Sequence, residues 1–289
     1  MAHVDDRRLS IAQCVWLACL MEVSAPKPGN VYRGADFDDL TYPDFLVAAT
    51  AIAPILERAP QKRLGETVLA AVVATRSAVG TNVNLGMILL TGPLAMVPRE
   101  EELASGVREV LARLTPEDSR DVYEAIRLAR PGGLGSAAEA DVHGAAPANL
   151  VAAMRLAADR DMVARQYAEN FHHVLKVIVP SLTEALRVGK TVSEAIVHVH
   201  VRFMANNPDS LIGRKCGPAI AEEAAARAQS ALAAAEVSEE AYWEAVGDLD
   251  FWLRADGHRR NPGTTADLIA AGLFAALRDD IIKAPFRLA

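Results

Sequence analysis

The chain is poor in the features that mark β-structure. Aromatic residues make up only 5 % of its 289 residues, and no apolar–polar alternation runs long enough to define a strand. That weighs against a sandwich or barrel. Only three cysteines are present, Cys14, Cys19 and Cys216; they lack CxxC spacing and are too few for a disulfide framework, so they read as buried helix residues. Basic charge is also short: 30 Lys and Arg against 37 Asp and Glu leave a net charge of −7. A nucleic-acid partner is excluded on that ground, because a phosphate backbone needs a basic surface. A small anionic substrate is not, since local placement of Lys and Arg outweighs the total.

The longest apolar run, around Gly86 to Val97, is interrupted by Gly92-Pro93 and falls short of the roughly 20 residues that span a bilayer. The N-terminal Met1 to Arg8 is charged and has no apolar core or cleavage site of a signal peptide. A cytoplasmic protein without a membrane partner is expected. Neither HExxH, nor a Walker A loop, nor a GxSxG elbow occurs. His172-His173 and His198/His200 lack the neighbouring acids or cysteines of a metal site, and the latter two diverge on a helix.

Half of the residues are apolar and alanine is abundant, which suits close-packed helices. Helical spacing predicts helices over 9–23, 42–58, 62–79 and 98–114. Thr115-Pro116-Glu117-Asp118 starts a further one that stops at Pro131-Gly132-Gly133-Leu134-Gly135. The irregular piece up to Pro147 is the longest in the chain. Helices then follow at 149–159, 162–169, 171–188, 191–204, 218–236, 238–253 and 266–278. With no fixed-period repeat and no linker-like composition shift, residues 1–289 read as a single all-α domain, a multi-helix bundle. Its Ala-rich amphipathic helices are compatible with a homodimer.

The stretch that organises the rest is Gly80-Thr81-Asn82-Val83-Asn84-Leu85-Gly86, opening onto the apolar Met87-Ile88-Leu89-Leu90. Asn and Thr there can cap a helix, and the same free N–H groups can hold an anion such as phosphate. Three other polar turns punctuate the helical background: Pro26-Lys27-Pro28-Gly29-Asn30 with Arg33 and Asp38, Asp209 to Lys215, and Asn261 to Asp267. Four turns that each combine backbone freedom with functional side chains are expected to converge on one pocket. Lys27, Arg33, Arg214 and Lys215 could neutralise phosphates, or be solvated surface charges. Asp209 and Asp267 stand beside helix starts, where an Asp can cap, hold Mg²⁺ with substrate phosphates, or act as a base.

At these turns the sequence resembles the triphosphoribosyl-dephospho-CoA synthase family. The resemblance lies in residues 22–31 (Glu-Val-Ser-Ala-Pro-Lys-Pro-Gly-Asn-Val), Gly80 to Gly86, residues 121–127 with 131–135, and residues 261–268 (Asn-Pro-Gly-Thr-Thr-Ala-Asp-Leu), in that order along most of the chain. It implies an all-helical fold that binds ATP with Mg²⁺. It also implies transfer of the triphosphoribosyl unit of ATP to 3′-dephospho-CoA, with release of adenine. On this reading Lys27, Arg33, Gly80, Asn82, Asn84, Ser210, Arg214, Lys215, Asn261, Thr264 and Thr265 contact the nucleotide, while Asp38, Asp209 and Asp267 supply base and catalytic carboxylates. Asp209 and Asp267 are also the expected metal ligands.

Where the bacterial synthases show Asn-Thr-His-Lys-Gly, this chain has Asn82-Val83-Asn84-Leu85-Gly86, so a His and a Lys are missing. Asp209-Ser210-Leu211 replaces Asp-Thr-Asn, Thr264-Thr265 a more glycine- and serine-rich pair, and Asp36 a histidine. The resemblance is therefore to the archaeal-type branch, and the ATP-handling shell matches better than the acceptor end. Two rival readings keep the nucleotide and change the outcome: a transferase or ligase for another phosphoribosyl-containing cofactor, and a non-catalytic nucleotide-binding subunit.

Overall fold

A computed structural model of the chain describes residues 8–133 and 139–287. Leu134 and Gly135 of the glycine-rich turn, and all but the last residue of the charged N-terminus, lie outside the described residues. The described residues form fourteen α-helices, a 3-10 turn, one π-helical turn and a single four-residue extended segment, so the all-α expectation holds.

The first half runs α1 (Ile11–Ser24), α2 (Tyr42–Leu56), α3 (Leu64–Val79), α4 (Leu85–Met96), α5 (Leu103–Ala112) and α6 (Pro116–Ala129). The second half holds α7 (Leu150–Ala157), α8 (Met162–Ala168), α9 (Val179–Arg187), α10 (Val192–Asn206), α11 (Ser210–Cys216), α12 (Pro218–Ala234), α13 (Glu239–Arg254) and α14 (Gly263–Arg278). One layer packs α1 on α2, α2 on α3 and α3 on α6; another packs α10 on α12 and α12 on α13. Helix α14 passes between them and touches α1, α4, α8, α9, α10 and α11. From Thr264 to Arg278 it is buried at every position except Asp267. A helix that is apolar all round belongs in the middle of a protein, and one acid on it demands a reason.

Four expectations are corrected in detail. Helix α5 starts at Leu103 rather than Pro98. The backbone before it is held by Arg278, whose buried guanidinium donates to the carbonyls of Val97, Pro98 and Glu101 and so takes the place of helical amides. The helix expected from Phe171 begins later, as a π-turn over His173–Ile178. There the buried Gln166 side chain accepts the amide hydrogens of His173 and Val174, while Asn170 and Phe171 take left-handed φ values of 52° and 62°. Residues 210–216, read as a turn, form the short helix α11, because Asp209 caps it. Helix α14 begins at Gly263, which places Thr264 and Thr265 in its first turn.

Helix α4 is the central apolar element and continues through Pro93. Proline cannot donate to the carbonyl four residues back, and the orphaned Leu89 carbonyl is satisfied instead by the hydroxyl of the fully buried Tyr167 at 2.7 Å.

Candidate active site

A cavity of about 680 Å³ opens where the expected turns meet. The first turn contributes Asn30, the second Thr81 to Met87, the third Leu211, Arg214 and Lys215, and the last Asn261, Gly263, Thr264 and Asp267; Pro131 and Gly132 join from the end of α6. Convergence of the turns is therefore a property of the fold.

The first turn is fixed from α13. The Gly29 amide donates to Asp250 at 2.7 Å, and Arg254 binds both Asp250 and the Asn30 carbonyl while stacking over Tyr32 and Phe37. Gly29 has φ of 76°, and a Cβ there would sit 2.8 Å from Leu253, so only glycine fits. The last turn is fixed from the third. Asp209 Oδ1 accepts the Leu211 and Ile212 amides that start α11, and its Oδ2 accepts both the amide and the hydroxyl of Thr265 at 2.8 Å. Ser210 adds a bond of 3.1 Å to Thr264.

Deep in the cavity two acids stand close together. Glu22 lines it from the buried face of α1 and forms an ion pair of 3.0 Å with Lys27. Lys27 is fully buried and also donates to the carbonyls of Glu22 and Ala25. Burial drives the Glu22 carboxyl up and the Lys27 ammonium down, and their mutual attraction opposes both shifts without cancelling them. Asp267 is the second acid. Its pKa lies well above the ordinary carboxylate range, through burial first and the charge of Glu22 next, despite the amide hydrogen bond from Met87. Two carboxyls, only one of them paired with an ammonium, leave a place that attracts positive charge.

The rim is cationic. Arg76, Arg130, Arg160, Arg214 and Lys215 all line the cavity. Arg214 is half committed, with Nη1 2.6 Å from Asp161. Burial lowers the pKa of Lys215. Among the described residues, Arg76, Arg130 and Arg160 have no acidic partner within ion-pair distance. Between rim and floor sit three amides with orphaned, buried atoms: Nδ2 of Asn30, Nδ2 of Asn84 and Oδ1 of Asn261. Buried polar atoms without partners are rare, and in a cavity they mark where a polar ligand completes the set.

The expected site residues divide accordingly. Asn82, Asn84, Arg214, Lys215, Asn261, Thr264 and Asp267 line the cavity. Lys27, Arg33, Asp38, Gly80, Asp209, Ser210 and Thr265 do not. Lys27 is sealed in the core on Glu22, and Arg33 and Asp38 are exposed on the loop after the first turn. Gly80 ends α3 with φ of 83°. Asp209 spends both oxygens on four donors, and no group of three or more metal-ligating side chains occurs among the described residues. Sequence reading gave no role to Glu22, although it opens the matching stretch 22–31, nor to Arg76, Arg130, Arg160, Asp39 and His258. Only Glu22 carried a signal, as an acid on the apolar stripe of Val15, Ala18 and Cys19.

The family described as CitG, ATP:dephospho-CoA triphosphoribosyl transferase, matches residues 8–286. A crystal structure from Archaeoglobus fulgidus, whose assignment as a triphosphoribosyl-dephospho-CoA synthase is provisional, superimposes with a TM-score of 0.62 at 27 % identity, over 81 % of this chain and 98 % of that one. No curated protein matches. Among the described residues no helix is long and apolar enough to cross a membrane.

Proposed function

From the premise that the chain belongs to the ATP:dephospho-CoA triphosphoribosyl transferase family, we propose how its cavity carries out that reaction. The enzyme is a transferase that moves the triphosphoribosyl group of ATP to 3′-dephospho-CoA and releases adenine. The family match across residues 8–286 also supports the reading of one catalytic domain.

The observation that carries the assignment of roles is the polarity of the cavity, with acids on its floor and unpaired arginines at its rim. Breaking the bond from ribose C1′ to adenine develops positive charge on the sugar. Glu22, held 3.0 Å from the Lys27 ammonium, is the group we assign to stabilise that charge. Fixing a charge in a dry site beforehand avoids reorganisation when the bond breaks. The triphosphate lies toward Arg76, Arg130, Arg160 and Lys215, with Arg214 oriented by Asp161. Asn30, Asn84 and Asn261 meet the polar atoms of the nucleoside.

Mg²⁺ fits one of its two expected ligands. Asp209 is consumed by its four hydrogen bonds, whereas Asp267 reaches the cavity with an uncompensated carboxyl. One carboxylate plus phosphate oxygens is an ordinary Mg²⁺ environment. Asp267 would hold the ion, which when bound neutralises the triphosphate. The test is chromatographic detection of adenine after incubation with ATP, Mg²⁺ and 3′-dephospho-CoA. Adenine that depends on both substrates and disappears in Glu22→Gln supports the assignment; a fully active Glu22→Gln variant refutes it.

A further inference from the structure

The floor and the rim account for leaving group and phosphates, but not for the proton of the attacking hydroxyl. Two further residues stand at the cavity wall, Asp39 and His258. They come from distant segments. Asp39 belongs to a tight loop closed by the bridge between Phe37 and Leu40, and His258 ends the extended segment Ala255–His258 after α13. Both residues line the cavity.

The two meet at 3.2 Å, from His258 Nδ1 to Asp39 Oδ1. The imidazole also packs on the Phe37 ring, with centroids 5.1 Å apart and planes at 51°. Phe37 is in turn covered by the Arg254 guanidinium that fixes the first turn. The ring of His258 thus has a carboxylate at ion-pair distance from one edge and, against one face, an aromatic that is itself anchored. With Nδ1 turned toward Asp39, Nε2 is the ring atom left to accept a proton. A carboxylate, an imidazole and a substrate cavity in this order make a base whose orientation is set by a third group.

We propose that His258 is the general base of the transfer, and that Asp39 is its positioning residue. This rests on the transferase reading of the cavity. The acceptor hydroxyl oxygen forms the new bond to ribose C1′, and the bond from C1′ to adenine N9 breaks with its electron pair leaving on adenine. The hydroxyl proton passes to His258 Nε2. Adenine takes up one proton, His258 returns its own to solvent, and the count closes.

The experiment compares wild type, His258→Ala, Asp39→Asn and Asp39→Glu in steady-state adenine release with ATP, Mg²⁺ and 3′-dephospho-CoA, with and without added imidazole. Losing a general base costs about 10²- to 10⁴-fold, so kcat of His258→Ala is expected to fall by that order with KM for ATP little changed. Free imidazole is expected to restore part of the rate. Asp39→Asn should lower kcat less, and Asp39→Glu should recover much of the loss. His258→Ala with wild-type kcat, or a loss that imidazole does not relieve in a variant that melts like wild type, would overturn the assignment alone. No adenine from the wild-type protein would overturn the transferase reading, and the base with it.

Discussion

Asp267 Oδ1 lies 3.0 Å from the Met87 amide, so a carboxylate on the last helix caps the first turn of the central one. Its Oδ2 stands 2.1 Å from where a Cβ on Gly86 would be. The acid on the otherwise buried α14 thereby joins two of the four turns, and the glycine opposite exists to admit it.

Gly86→Ala is accordingly expected to fail in both stability and activity. The added methyl meets a carboxylate held by the Met87 amide, and overpacking of this kind costs about 1–3 kcal/mol. A lowered melting temperature together with reduced adenine release is the expected result. Wild-type values of both would show that Asp267 can swing away freely.

Asp209→Asn separates a scaffold role from a catalytic one. An amide nitrogen cannot accept the two bonds from Thr265, and each buried donor left unsatisfied costs about 1–3 kcal/mol. The variant should melt well below wild type yet retain most of its kcat when assayed cold. A stable but inactive variant would return Asp209 to the chemistry.

The pair of Glu22 and Lys27 predicts asymmetric mutants. Lys27→Met strands a buried carboxylate, and breaking such a pair from one side costs about 3–5 kcal/mol. Glu22→Gln should fold better and lose about 10²- to 10³-fold in kcat, the range for removing a preorganised electrostatic group. Glu22→Leu combined with Lys27→Met should regain stability but not activity. Urea melts and adenine assays on the three variants decide it.

His200 sets a pH limit on stability. It is fully buried, and burial first, then the charge of Lys27, lowers its pKa from 6.5 to about 3. The unfolded chain therefore binds a proton that the folded chain refuses. The contribution of a neutral His200 is complete above pH 6.5 and is lost as pH falls from there toward 3, at a slope approaching about 1.4 kcal/mol per pH unit. A variant without a titratable group, His200→Gln, should flatten this acid limb in pH-dependent melts. An unchanged limb would assign it to other groups.

Arg130 and Arg160 are exposed at the rim, where charge attracts substrate rather than shaping the transition state. Alanine at either should raise KM with little change in kcat, and weaken the salt dependence of kcat/KM. A drop in kcat at constant KM would place them at the reacting bond instead.

The helical class, the order of the helices and the positions of the four polar turns were legible in the sequence. Those depend on local signals: 3.6-residue periodicity, Pro and Gly breaks, and caps such as Thr115 with Asp118. The family resemblance was legible for the same reason, since its motifs are contiguous. Which residue of a turn faces the cavity depends on packing between elements far apart in the chain. Lys27 looked like a phosphate ligand on an exposed turn, but its ammonium folds back, fully buried, onto the end of α1 and becomes the partner of Glu22. Asp209 and Asp267 looked equivalent, both acids at helix starts, until packing gave one four donors and the other an open carboxyl beside a second acid. Asp39 and His258 are 219 positions apart and share no local pattern. Direction, burial and partnership are set by non-local packing, and no local signal carries them.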